Sequence, residues 1–113
     1  MAKSANNFFK MEMILLKVLE KQDCYGYQIT QIIKKASDGN INLAEGTMYP
    51  ILYRLLDNGY ITDEKKLVGK RLTRVYYHIE PEGLDYLKEL SEEYYRIKNS
   101  IDNIMEGINE ELY

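Results

Sequence analysis

Residues 44–61 read Ala44-Glu45-Gly46-Thr47-Met48-Tyr49-Pro50-Ile51-Leu52-Tyr53-Arg54-Leu55-Leu56-Asp57-Asn58-Gly59-Tyr60-Ile61. Four apolar residues form one stripe at helical spacing, namely Ile51, Leu52, Leu55 and Leu56. Gly59 follows the stripe where a helix commonly takes a left-handed residue, so the pattern predicts a short helix that stops there and a strand directly after it. The flank of the helix is left to Thr47, Met48, Tyr49, Tyr53 and Arg54. The two tyrosine hydroxyls, the threonine and the arginine suit contact with a polyanion, and the alternative is an ordinary solvated helix.

Length and composition predict one modest domain. The chain has 113 residues, of which 45% are hydrophobic. No apolar run approaches the ~20 residues that span a bilayer, and Lys10, Glu12 and Lys17 interrupt the only stretch that could follow a secretory start. The one cysteine, Cys24, cannot form an internal disulfide, which suits a reducing compartment. We therefore expect a cytoplasmic protein without membrane contact.

The net charge of −3 conceals an uneven distribution. Residues 1–79 contain 12 Lys and Arg against 8 Asp and Glu, a balance of +4. Residues 80–113 contain 3 against 10, a balance of −7. A basic body with an acidic last section remains compatible with a nucleic-acid partner.

Two helices precede the opening stretch. Residues 7–21 carry apolar residues at helical spacing, and Asp23 is a candidate N-cap for a second helix from Tyr25 to about Ala36. Residues 37–40 interrupt the helical pattern and predict a turn. Residues 41–43 alternate in polarity and predict one short strand.

A hairpin follows the third helix. Residues 60–68 predict a strand, residues 69–73 a turn, and residues 74–79 the return strand, with Val75, Tyr77 and Ile79 on one face. The tip is basic because it carries Lys70 and Arg71, with Arg74 just behind it. A basic tip alone is often only solvated.

A long helix ends the chain. Pro81 suits its first position, and a heptad pattern then runs through Leu87, Leu90, Tyr94, Ile97, Ile101, Ile104 and Ile108. Residues 81–106 would extend about 39 Å, more than a small body can cover. The bare stripe predicts a two-fold homodimer through this helix, and the alternative is a helix folded back on the first within one monomer.

This order of elements predicts a mainly α (α+β) fold, a winged helix-turn-helix with a long C-terminal dimerisation helix. We expect residues 1–80 to form the DNA-binding domain and residues 81–113 the dimerisation helix. In this arrangement the third helix enters the major groove of double-stranded DNA. The candidate DNA-binding residues are Thr47, Tyr49, Arg54, Lys70, Arg71 and Arg74, although Tyr49 could instead pack inward. The candidate dimer residues are Phe8, Met11, Leu15, Leu90, Tyr94, Ile97, Ile101 and Ile104.

Three stretches resemble the PadR family of bacterial transcriptional regulators. They are Gly26-Tyr27-Gln28-Ile29, then residues 45–55 with their Gly-Thr-x-Tyr-Pro motif, and residues 69–83 with the wing and its Tyr-Tyr strand. The resemblance covers roughly residues 10–90. It implies a homodimeric repressor of the short-tailed form, released from DNA by a small aromatic or drug-like effector near the dimer interface. The chain has no Trp, so Tyr or Phe would have to form any stacking platform for that effector.

An enzyme is a distant alternative. One His and one Cys make no metal site, and the segment around Gly69 and Lys70 lacks the residues of a phosphate-binding loop. Asp23 beside Cys24 should raise the pKa of the thiol rather than activate it. We expect no catalytic residue, metal or cofactor. The stronger competitor is a winged-helix module that binds proteins, although such a wing has no need of three cations.

Overall fold

The computed structural model describes residues 8–113 and has the predicted winged helix-turn-helix architecture. A three-stranded antiparallel sheet, with Leu72–Ile79 between Cys24–Tyr25 and Ile61–Val68, packs beside a helix-turn-helix, and a long helix follows. The elements are α1 (Met11–Lys21), β1 (Cys24–Tyr25), α2 (Gly26–Ala36), α3 (Glu45–Asp57), β2 (Ile61–Val68), β3 (Leu72–Ile79), α4 (Pro81–Gly107) and a final 3₁₀ turn, Glu110–Leu112.

The first helix begins later than predicted. Residue 7 lies outside the described residues, and α1 starts at Met11 with Lys10 in extended conformation before it. Phe8 is therefore not part of the helix. Its ring stacks instead on Tyr94 of α4, with 5.4 Å between the centroids.

The predicted strand at residues 41–43 is wrong. The backbone N–H of Ile41 donates to the Ser37 hydroxyl at 2.9 Å, and the amide of Asn42 donates to the Gly39 carbonyl at 2.9 Å. These bonds form a compact connection instead of a strand. The third strand is Cys24–Tyr25, which pairs with β3.

The predicted cap of α2 is also wrong. Because two strand residues separate Asp23 from the helix, Tyr25 takes the N-cap position. The backbone N–H of Tyr25 donates to the Gln28 side chain at 3.3 Å. The Asp23 carboxylate instead meets His78 on β3 at 2.7 Å.

The core collects apolar side chains from every layer. Met48, which the sequence placed on the flank of α3, is fully buried, because it lies four residues before Leu52 on the same face. Burial of each such side chain stabilises the fold by about 1.5–3 kcal/mol. The fully buried apolar residues include Leu15, Leu16, Leu19, Ile29, Met48, Leu52, Leu55 and Ile61.

Gly59 ends α3 as predicted. Its φ of 75° is left-handed, and the N–H of Tyr60 then donates back to the Leu55 carbonyl at 3.0 Å. The chain enters β2 at once. The return strand of the wing is longer than predicted, since β3 starts at Leu72, and this places Arg74 inside the ladder opposite Lys66.

The last helix starts at Pro81 and spans 27 residues, about 40 Å. Leu87 is buried in the core, whereas the far half of the helix extends away from the body. The molecule accordingly measures 68 × 30 × 29 Å. Ile108, the last residue of the heptad pattern, lies just beyond the helix.

Candidate functional site

The outward face of α3 is the first part of the site. Thr47 in the first turn and Arg54 in the last turn are both exposed, on the same edge of the helix. Pro50 and Tyr53 lie beside them and are also exposed. The helix therefore presents a hydroxyl, a phenol and a guanidinium to solvent, while Leu52 and Leu55 anchor its other side.

Tyr49 packs inward, which is the alternative that the sequence left open. Its hydroxyl donates to the Glu45 carboxylate at 3.4 Å and contacts α2 at Gly26, where any side chain would clash with it. Burial is the main cause that raises the pKa of Tyr49. Burial also raises the pKa of Tyr77, on the adjacent strand, to about 12, with Tyr49 as the next cause. Tyr49 thus fixes α3 against α2, and its hydroxyl remains protonated at neutral pH.

Arg54 lies against α1. Its Nε is 4.0 Å from Oε2 of Glu12, and the other oxygen of Glu12 accepts a hydrogen bond of 2.7 Å from the Tyr86 hydroxyl of α4. This cluster joins three helices.

The wing presents cations from its tip to its middle. Lys70 and Arg71 are exposed in the turn that follows Gly69. The guanidinium carbon of Arg74 lies 4.2 Å from the ring centroid of Tyr25, so Arg74 is held by a cation–π contact on the outer face of the sheet.

The wing carries two cations that the predicted set of DNA-binding residues does not include. Lys66 pairs with Arg74 in the ladder, and its Nζ lies 5.0 Å from the ring centroid of Tyr76. Lys65 is exposed on the opposite face, the face of Tyr77 and Ile79. The alternation of side chains along a strand could have pointed to both lysines, because it places neighbouring residues on opposite faces of the sheet.

His78 lies on β3 and Cys24 on β1, outside α3 and the wing tip. The hydrogen bond with Asp23 is the main cause that raises the pKa of His78. Cys24 is buried, and this burial, more than Asp23, raises the pKa of its thiol. Within residues 8–113 no three His, Cys, Asp or Glu side chains cluster in a way that could hold a metal ion. No helix in that range has the length and apolar character needed to cross a membrane.

Most of the predicted dimer residues lie along one side of α4 and the start of α1. Leu90, Tyr94 and Ile97 are half-buried, while Ile101 and Ile104 are exposed. From the other elements, Phe8 is exposed and stacked on Tyr94, and Met11 is half-buried. Leu15 has no exposed surface and belongs to the core of the chain itself. The sequence missed four exposed apolar residues beyond this stripe or beside it, Met105, Leu112, Tyr113 and Tyr95.

An apolar groove runs between α1, α2 and α4. Its volume is about 410 Å³, and its lining includes Ile14, Val18, Ile32, Tyr94 and Tyr95. Tyr94 also contacts Phe8 and Phe9, so an aromatic cluster stands at one end of α1. The groove and this cluster share Tyr94.

Comparisons with known proteins agree with this architecture. A transcriptional regulator from Clostridium thermocellum has a TM-score of 0.75 and 36% identity, over 81% of this chain and 89% of that one. An uncharacterised protein of Lysinibacillus sphaericus is 33% identical over 98 residues, 87% of this chain and 90% of that protein. PadR of Bacillus subtilis in complex with operator DNA has a TM-score of 0.65 and 26% identity, over 70% of this chain and 45% of that one.

The family model of the PadR-like transcriptional regulators matches residues 15–89, from the middle of α1 to the first turns of α4. This range contains α2, α3 and the whole wing, the three stretches on which the sequence resemblance rested. The role of this family is transcriptional regulation, in agreement with the prediction of a protein that is not an enzyme. The chain belongs to the PadR-like family of transcriptional regulators.

Proposed function

We propose that the chain is a dimeric repressor that binds double-stranded DNA through α3 and the wing and leaves it when a small molecule binds. The observation that carries this proposal is the combination of an exposed polar face on α3 with a cationic wing in a chain of net charge −3. The wing concentrates five of the chain's 15 basic residues, Lys65, Lys66, Lys70, Arg71 and Arg74. A relative with the same fold, PadR of Bacillus subtilis, is known in complex with operator DNA.

The proposed contacts divide between base edges and phosphates. Thr47 and Tyr53 would approach base edges in the major groove, and Arg54 would contact a phosphate. Lys70 and Arg71 would neutralise phosphates at the wing tip. Arg74 would contribute from its place on Tyr25, and Tyr49 would set the angle of α3 without necessarily touching DNA.

Residues 81–113 would supply the dimer interface, and residues 1–80 the DNA-binding domain. A two-fold pair of α4 helices would cover Ile97, Ile101 and Ile104, which the chain itself leaves partly or largely bare. Phe8 and Met11 would extend the interface. The two α3 helices would then face successive half-sites of an operator.

A small aromatic or drug-like effector is supported by the aromatic cluster of Phe8, Phe9, Tyr94 and Tyr95. A ligand there would contact α1 and α4 together. It would shift the protein away from DNA only if it bound one spacing of the two α3 helices more tightly than another. Crystal structures of the dimer with and without a tight ligand test this, and an unchanged α3 spacing would contradict it.

The decisive experiment measures binding to random duplex DNA as a function of salt concentration. The natural protein should lose affinity steeply as salt rises. Arg71→Ala should reduce the slope of log K against log salt by about 0.9, because one phosphate contact is lost. Arg96→Ala is the matched control, since Arg96 lies on α4 beside Glu93 and carries the same charge.

Equal slopes for these two variants would remove Arg71 from the interface. If the natural protein did not bind DNA even at low salt, the DNA-binding proposal would fail. The remaining interpretation would be a protein-interaction module whose acidic last helix recruits a basic partner. Repression itself is tested by transcription from a promoter that carries a selected operator, where added protein should lower the amount of transcript.

A further inference from the structure

Three polar side chains from three helices meet at the edge of the core. The Tyr86 hydroxyl of α4 donates to Oε1 of Glu12 on α1 at 2.7 Å, and Nε of Arg54 on α3 lies 4.0 Å from Oε2. The side chain of Glu12 is only 13% exposed, whereas that of Arg54 is 60% exposed. The ring of Tyr86 is itself fixed by stacking on Tyr60, with centroids 4.3 Å apart. The cluster therefore links the candidate dimerisation helix to the outward face of α3.

The geometry defines what each member of the cluster does. A carboxylate withdrawn from water needs partners for both oxygens, and Tyr86 satisfies one of them. The second oxygen faces Arg54 at a distance too long for a hydrogen bond. It can therefore restrain the guanidinium without using up its five N–H donors. Within residues 8–113 the Arg54 side chain has no other ion pair.

We infer that Glu12 is a positioning residue for Arg54, holding it so that its outer N–H groups meet the DNA backbone, with Tyr86 fixing Glu12. This inference rests on the proposed function. It means that a negatively charged residue close to the DNA-binding surface strengthens DNA binding. The arrangement also gives α4 a direct connection to α3, because any shift of Tyr86 moves the carboxylate that restrains Arg54.

The test depends on whether removal of the negative charge of Glu12 raises or lowers the affinity for DNA. Glu12→Gln removes a negative charge, and by charge alone it should strengthen DNA binding. Glu20→Gln is the charge-matched control on the same helix, where Glu20 pairs with Lys17 at 2.8 Å. We expect Glu20→Gln to leave binding unchanged or slightly stronger. Glu12→Gln should weaken it by about 3- to 10-fold, the size of a coupling between contacting residues.

A double-mutant cycle then isolates Arg54. Glu12→Gln and Arg54→Ala should each lower the salt slope by about 0.9, and Glu12→Gln should have no further effect in the Arg54→Ala protein. Tyr86→Phe should act in the same direction as Glu12→Gln and more weakly, because Glu12 would keep its charge and lose only its anchor. It also serves as the second variant if Glu12→Gln does not fold, as judged by its thermal unfolding.

The outcomes distinguish a failure of the proposed function from a failure of the role assigned to Glu12. If the natural protein shows no salt-dependent DNA binding, the proposed function and this inference both fail. If it binds normally but Glu12→Gln strengthens binding as Glu20→Gln does, only the role of Glu12 is overturned. The same conclusion follows if Arg54→Ala leaves the salt slope unchanged, or if the effect of Glu12→Gln persists without Arg54.

Discussion

Truncation of Ile104 tests the proposed dimer quantitatively. Ile104 is 54% exposed in the chain, so a partner helix could cover about half of its surface. Full burial of an isoleucine side chain is worth about 1.5–3 kcal/mol, so each copy should gain about half of that. A two-fold dimer contains the residue twice, and Ile104→Ala should cost roughly 1.5–3 kcal/mol of association free energy, a 10- to 150-fold rise in Kd.

Sedimentation equilibrium over a range of protein concentrations measures this Kd directly. Leu84→Ala is the matched control, because Leu84 is a 43% exposed aliphatic residue of the same helix that lies outside the heptad stripe. Its Kd should stay close to that of the natural protein. A monomeric natural protein, or equal Kd values for the two variants, would refute the assignment of this stripe to the dimer.

Three further predictions concern the stability and reactivity of the chain. Gly83→Ala should destabilise it by about 1–3 kcal/mol in urea unfolding, because the new Cβ would clash with the Tyr60 carbonyl, whereas Gly46→Ala, which meets nothing within 4 Å, should be neutral or stabilising. The hydrogen bond to Asp23 raises the pKa of His78. The pair therefore contributes fully to the free energy of unfolding below the unfolded-state pKa of His78, and this contribution disappears as pH rises through its folded-state pKa. The difference in stability between the natural protein and Asp23→Asn should therefore shrink from pH 6 to pH 8, and a constant difference would contradict this. The difference should not exceed about 1 kcal/mol, because the side chains of His78 and Asp23 are 54% and 41% exposed and solvent screens their interaction. Burial raises the pKa of the Cys24 thiol, so a thiol reagent should label it only as fast as the chain unfolds, and rapid native labelling would contradict that burial.

Local patterns predicted the elements that make up the winged helix. The stripe around Leu52 and the left-handed Gly59 defined α3, and Pro81 defined the start of α4, because these signals depend on neighbours within one or two turns. The strand Cys24–Tyr25 could not be predicted in the same way. Two residues carry no periodicity, and this strand exists only because β3 offers it an edge.

The polar side-chain pairs of the structure could not be predicted from local sequence patterns for a similar reason. His78 and Asp23 are 55 positions apart in sequence, and Tyr86 and Glu12 are 74 apart. Their pairing depends on how the helices and the sheet pack, so no spacing rule signals it. The burial of Met48, in contrast, could have been predicted from the sequence, because Met48 lies four residues before Leu52 and so on the same face of the helix. Its predicted position on the flank was wrong.

The far half of α4 combines charged side chains with an exposed apolar stripe. Two pairs, Arg96–Glu93 and Lys98–Asp102, bridge successive turns at 2.7 and 2.8 Å, and pairs of this kind add only about 0.2–0.5 kcal/mol each to a helix. Isolated helices shorter than about 12–15 residues are marginal in water. The far half of α4 is not isolated, because it continues the half that is anchored at Leu87, and Ile101 and Ile104 leave an apolar stripe exposed along it. In the proposed dimer, a second copy of the chain would cover these isoleucines, and the charged side chains would stay in solvent.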